Sequence, residues 1–247
     1  MNWYFLNTGF HDGHYNMSID ERLAKNYRGV PILRVYGWEP YCISLGYNQN
    51  IEDINVAYAN SKGVSIVKRA TGGRAVLHAE ELTYSIILDS NGKGIHEIYK
   101  EINSALLEGL HLLGAKVNFS KTNSDFNNLY KNKSSIPCFT SSARYEIEYE
   151  GKKLVGSAQR RYDHVVLQHG SILIGDSHKQ LPDFLNNNTD KQTKEKIKRD
   201  IDARTITLKD ILSKDVSFSE TANAIKAGFE KEYKIKFKEI NLEDLCL

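Results

Sequence analysis

The chain reads as an α+β protein with mixed, mostly antiparallel sheets flanked by helices. Three observations predict this. Many short apolar runs of strand length are separated by turn residues. Two of them flank Glu150-Gly151, a two-residue hairpin signal. One long amphipathic segment near residue 100 interrupts the strands, instead of a helix following each strand as in a doubly wound sheet.

In chain order, Trp3 to Leu6 reads as a strand. Ser18 is placed to cap a helix running to about Tyr27, with Met17, Leu23, Ala24 and Tyr27 near helical spacing. PILRVYGW and YCISLGY read as strands joined by a turn at Glu39-Pro40. A short helix follows around Ile54 to Ala59, then a strand from Val64 to Lys68. Leu82 to Leu88, apolar but for Thr83 and Ser85, reads as a central strand buried on both faces. Ile98, Ile102, Ala105, Leu106, Leu110 and Leu113 form one apolar helical stripe that Gly114 ends. Ala115 to Phe119 is a further strand, and Ser120 to Ser142 is a long polar loop. Arg144–Tyr149 and Lys153–Gln159 flank the hairpin turn, and VVLQHGSILIG continues the sheet. From about residue 176 helices are expected to dominate, near Lys179–Leu185, Thr207–Ser213 and Ser219–Tyr233. NNNTDKQTKEKIKRD between them reads as a solvated connection.

Composition narrows the function classes. The 247 residues are 40% hydrophobic and 26% charged, the profile of an ordinary globular protein able to bury a core. A formal charge of +2 gives no footprint for nucleic acid. No apolar run approaches a membrane span, and MNWYFLNTGFHDG lacks the features of a signal peptide, so a cytoplasmic protein is expected. The three cysteines, Cys42, Cys138 and Cys246, are too few and too scattered for a disulfide framework or a zinc site. Cys42 lies in an apolar strand run and reads as a buried structural thiol, while Cys246 is one residue from the end. Cys138 sits in a polar loop, SSIPCFTSS, where neighbouring cations could make a thiol reactive.

Two further stretches invite chemistry. KRATGGRAVLH places Gly72-Gly73 between Arg69 and Arg74, just after Lys68. Glycines of this kind let a ligand approach the backbone, and the cations could hold an anion. A glycine hairpin with solvated arginines explains the spacing equally well, and neither a Walker loop nor GxGxxG is present. In KKLVGSAQ, strand alternation turns one of Lys152 and Lys153 towards the core side of the sheet, where a lysine can serve as an acid or base. His78 and His169 read by themselves as structural groups within strands, and no cluster suggests a metal.

Taken together these stretches are more specific. Lys68 to His78 resembles the R-R-x-T-G-G-x-x-V-x-H motif of the biotin/lipoate protein ligase superfamily. Lys153-Leu154-Val155-Gly156-Ser157-Ala158 resembles its K-x-x-G-S-A segment, and Gln168 to Leu173 resembles its H-G-[ST]-x-L strand. The order and separations are similar from about Trp3 to Gly175. Within that superfamily, Ser134 to Phe139 resembles the S-S-x-C-F loop of the cysteine-dependent octanoyltransferases built on the lipoate-ligase scaffold, and Glu81-Leu82-Thr83-Tyr84-Ser85 resembles their E-L-T-Y-S run. Lys68 in place of the first arginine, Ala79 after His78 and the added Pro137 depart from the pattern.

The resemblance implies a single catalytic domain over residues 1–247 with the superfamily's α+β fold. It implies transfer of an octanoyl group from acyl carrier protein to a lysine of a lipoyl domain, for example that of glycine cleavage H protein. Cys138 would be the nucleophile and Lys153 the electrostatic and proton-handling group. Arg69, Thr71, Gly72, Gly73, Arg74, His78, Gly156, Ser157, Ala158, His169 and Gly170 would bind substrate. No metal or other cofactor is expected on this reading. An ATP- and Mg-dependent lipoate ligase, an amidotransferase between lipoyl domains and a non-catalytic lipoyl-domain binder are the alternatives.

Overall fold

The computed structural model describes residues 2–120 and 145–245. Two sheets organise them. The larger contains β1 (Asn2–His11), β2 (Ile32–Trp38), β6 (Glu81–Asp89), β7 (Asn118–Phe119), β8 (Ile147–Tyr149), β9 (Lys152–Tyr162), β10 (Val165–Leu173) and β11 (Lys236–Glu239), in the order β11-β1-β2-β6-β10-β9-β8-β7. The smaller contains β3 (Cys42–Leu45), β4 (Ser65–Lys68) and β5 (Val76–His78), in the order β4-β3-β5. Pairing is antiparallel except for β1 with β2 and β11, and β3 with β4. The helices are α1 (Gly13–Lys25), α2 (Val56–Ser61), α3 (Ile95–Leu112), α4 (Lys191–Arg204), α5 (Leu208–Leu212) and α6 (Phe218–Tyr233). The α+β expectation therefore matches the architecture.

Burial explains the central strands. Every residue of β10 is buried, as are all but the last of β6. The largest core lies between the sheet and the pair α3 and α6, where Ile102, Leu106, Ile225 and Phe229 pack on Leu82 and Ile86. At the Glu150-Gly151 turn both residues have positive φ, 50° and 77°, the backbone a two-residue hairpin demands.

Several local expectations change. Helix α1 starts five residues before Ser18, because the Asp12 carboxylate caps it by accepting from the Tyr15 amide at 2.9 Å. PILRVYGW and YCISLGY do contain strands, β2 and β3, on either side of Glu39-Pro40, but the two belong to different sheets. The solvated connection at 186–200 is largely helix α4, capped by Asp190. Its Ile197 and Ile201, four residues apart, are buried with Leu181, Phe184 and Leu185, and the charged outer face conceals that narrow stripe in the sequence. Helices do dominate after residue 176, beginning with a 3-10 segment, Ser177–Phe184, but β11 returns to pair with β1.

Candidate active site

The two sheets face each other across a pocket, and α1 closes one side. Met17 of α1, Tyr36 and Trp38 of β2, and Thr83 of β6 form one end. Ser44, Arg69, Val76 and His78 come from the small sheet and the turn after β4. His169, Gly170 and Ser171 of β10, then Gly156, Ser157 and Ala158 of β9, continue the wall across the large sheet. The empty space, including solvent at its opening, is about 440 Å³. The lining crosses β2, β6, β10 and β9, three strand spacings or roughly 14 Å. It is a slot perpendicular to the strands, with aromatic rings at one end and glycine backbone at the other.

Fixed hydrogen bonds hold its walls. The Trp38 indole N–H donates to Thr83 Oγ1 at 2.7 Å, and the ring stacks on His78 with centroids 4.0 Å apart. His78 Nδ1 lies 2.8 Å from Glu81 Oε1 and Nε2 lies 2.7 Å from Ser44 Oγ. An ionised carboxylate only accepts, so Nδ1 carries a proton towards Glu81. Burial would raise the Glu81 pKa, but His78, Thr83 and Ser171 together hold it below its ordinary value. A second pair repeats the pattern. His169 Nδ1 faces Asp20 Oδ2 at 3.2 Å, and Nε2 lies 2.7 Å from Thr71 Oγ1. Asp20 also accepts from Arg34 at 2.7 Å, Ser85 at 2.7 Å and Tyr36 at 2.9 Å. Full burial pushes the Asp20 pKa up, yet the Arg34 guanidinium and the His169 and Ser85 hydrogen bonds bring it down to about 2. Both histidines are thus committed to hydroxyl and carboxylate partners. Among the described residues no group of three or more histidine, cysteine or acidic side chains is placed to hold a metal.

The glycine turn is built by its own arginine. Arg69 donates through Nε and NH2 to the Gly72 carbonyl, through NH2 to that of Arg74 at 2.7 Å, and through NH1 to the backbone and hydroxyl oxygens of Ser44. The structure therefore gives Arg69 a job that the sequence did not suggest: it clamps the turn and lines the slot. Gly73 has φ of +96°, whereas Gly72 is exposed with open space where a side chain would project. Thr71 is buried behind the turn against His169, and Arg74 is half-buried. Gly170 answers to packing, because an added Cβ would lie 2.5 Å from the Gly156 carbonyl oxygen and 2.8 Å from the Tyr84 ring. Ser157 Oγ shares a 2.7 Å hydrogen bond with Tyr84 OH, which in turn accepts from Gln168.

Of the two lysines, Lys153 is the buried one, 7% exposed, and Lys152 is half-buried. Lys153 Nζ forms an ion pair with Glu146 Oε1 at 2.6 Å, and the other Glu146 oxygen is buried without a hydrogen-bond partner among the described residues. Lys153 lies on β9 three residues before Gly156 of the slot. Cys138 and the loop around it lie outside the described residues, as does Cys246. Cys42 is fully buried, and burial pushes its thiol up to about 12, so it is the structural thiol expected. Sequence reasoning missed Glu146, Asp20, Arg34 and Ser44. Asp20 alone left a trace, a carboxylate three residues from Met17 and four from Ala24 on the apolar side of a helix.

Comparison with known proteins adds to this geometry. Residues 12–230 match the lipoyl protein ligase A/B catalytic domain family. An octanoyltransferase LipM of Macrococcus caseolyticus is 38% identical over 246 residues, covering 96% of this chain and 88% of that protein. The protein of the same name from Staphylococcus aureus is 37% identical, covering 99% and 92%. A crystal structure of lipoate-protein ligase A bound with ATP superposes with a TM-score of 0.78 at 25% identity, covering 98% of this chain and 89% of the other.

Proposed function

We propose a covalent route of octanoyl transfer for this chain, which belongs to the lipoyl protein ligase A/B catalytic domain family and has octanoyltransferases as close relatives. It is an acyltransferase of lipoate biosynthesis, and its acceptor is a lipoyl domain. The donor on this reading is octanoyl acyl carrier protein, the acceptor a lysine of glycine cleavage H protein or a similar lipoyl domain, and the setting the cytoplasm. Cys138 Sγ attacks the thioester carbonyl, a new C–S bond forms, and the carrier thiol leaves with a proton. The acceptor ε-amine then attacks the acyl-enzyme, the C–N bond forms, and the Cys138 thiol is released as the amine gives up its proton.

One observation supports this best. The slot ends in Met17, Tyr36 and Trp38 on one side and in Gly156-Ser157-Ala158 on the other, the strand that also bears Lys153. An extended eight-carbon chain, about 9 Å long from bonds of roughly 1.5 Å, fits its length with the carbonyl towards β9. On this reading the Lys153 ammonium, held by Glu146, turns an N–H towards the developing negative charge on sulfur and oxygen. No nucleotide or metal takes part in this scheme.

The likeness to a ligase bound with ATP makes an acyl-adenylate route the reading to test against. The protein is incubated with octanoyl acyl carrier protein, without ATP, and weighed intact. A mass gain of one octanoyl group, lost on adding a lipoyl domain, is expected. Octanoylation of the lipoyl domain from octanoate and ATP, with none from the thioester, would overturn the covalent route.

A further inference from the structure

Beside the slot lies a cluster of cations and rings that the acyl chain does not use. Tyr47 is 54% exposed, and its amide donates to the Thr71 carbonyl at 2.9 Å, which fixes it to the glycine turn. The Arg160 guanidinium lies 5.1 Å from the Tyr47 ring centroid and 4.9 Å from that of Tyr162. Its NH1 donates to the Ala70 carbonyl at 2.9 Å, so it is held against the same turn. Lys68 Nζ lies 5.8 Å from the other end of this cluster, the Tyr47 ring, and its side chain is exposed. Among the described residues neither Lys68 nor Arg160 forms an ion pair. The neighbouring acid, Glu21, is already paired with Lys25 at 2.9 Å. At Gly72 of the same turn an added Cβ would meet nothing within 4 Å, so the turn is open there.

We propose that Lys68, Arg160 and Tyr47 bind the phosphodiester on the prosthetic arm of the acyl donor. This rests on the reading above that the donor is a carrier-bound thioester. Arg160 lies on β9 four residues beyond Gly156, or about 13 Å along the strand. A pantetheine arm of about thirteen bonds spans roughly 15 Å between sulfur and phosphorus. With its thioester at Gly156, the arm follows β9 and brings its phosphate to Arg160. A guanidinium with N–H groups left over presents the planar fork that phosphate oxygens accept from, and Lys68 adds a second charge. The same charges repel the ammonium of an acceptor lysine, so the cluster distinguishes donor from acceptor.

The test compares octanoyl pantetheine, octanoyl phosphopantetheine and octanoyl acyl carrier protein as donors to a lipoyl domain without ATP. Wild-type protein is expected to favour the phosphorylated small donor over the unphosphorylated one by about tenfold or more in kcat/KM. The Arg160→Ala, Lys68→Ala double variant should bring that ratio close to one, with its melting temperature retained. A wild-type ratio near one overturns the assignment. So does a variant that lowers use of the carrier protein alone, which would mean the cluster reads the carrier's acidic surface. A variant that slows all three donors equally assigns these residues to structure and overturns it too. Wild-type protein that uses none of the thioesters but accepts octanoate with ATP would remove the octanoyl-carrier reading itself, and the arm site with it.

Discussion

Lys153 of β9 and Glu146, the residue before β8, meet at 2.6 Å with both side chains more than nine-tenths buried. This pair separates a catalytic from a structural role. Lys153→Ala is expected to lose about a hundredfold or more of the transfer rate, and Lys152→Ala little. Lys153→Ala also strands a buried carboxylate, at a cost of about 3 kcal/mol in stability. Adding Glu146→Gln should return stability without activity, measured by denaturant melts and steady-state rates. Recovery of activity in the double variant would make the pair structural.

The cysteines should differ sharply. Hydroxylamine-labile octanoyl is expected on Cys138 only, by peptide mapping after exposure to octanoyl acyl carrier protein. Cys138→Ser should lose both adduct and transfer, because a serine hydroxyl is far harder to ionise than a thiol. Cys42→Ser should keep both, since the Cys42 thiol is buried and pushed up to about 12. Cys246→Ser should keep both as well. Full transfer by the Cys138 variant would point back to an adenylate.

Two glycines with equal weight in the sequence motifs should fail in opposite ways. Gly170→Ala pushes a methyl into backbone at 2.5 Å, and overpacking of this kind costs about 1–3 kcal/mol, visible as a lower melting temperature. Gly72→Ala meets nothing within 4 Å, so the melting temperature should hold. A fall in transfer rate for Gly72→Ala would then report a ligand passing over the turn. An unchanged rate would place the ligand elsewhere.

Acid should weaken the fold through Asp20. Its folded pKa of about 2 lies below the ordinary 3.8, so the ionised group stabilises the fold fully above pH 4. That contribution, about 2 kcal/mol, is lost as pH falls from about 4 to about 2. Asp20→Asn leaves Arg34 buried without its carboxylate and should be markedly less stable at neutral pH. The gap between wild type and Asp20→Asn should narrow below pH 4 in denaturant titrations. A constant gap would mean that Asp20 ionisation does not stabilise the fold.

Period and turn chemistry made much of the fold readable before any coordinates. The Leu82–Leu88 run, apolar but for Thr83 and Ser85, specifies a central strand, because a strand covered on both faces carries few charged residues. The Ile98–Leu113 stripe specifies α3, and Glu150-Gly151 specifies its hairpin. The motifs singled out Gly156 and Gly170, which line the slot, and strand alternation a lysine buried on β9, because backbone freedom and alternation are properties of neighbouring residues. Tertiary structure decided the rest. Helix α4 exists because Ile197 and Ile201 find a core built by residues far away in sequence, which a charged local composition cannot announce. Asp20 becomes a low-pKa carboxylate only when Arg34, Ser85 and His169 converge on it from three strands. Glu146 becomes the partner of Lys153 only through strand pairing at the edge of the sheet. Electrostatic partnership depends on distance in space, and a sequence of this length leaves that distance open until the sheets close.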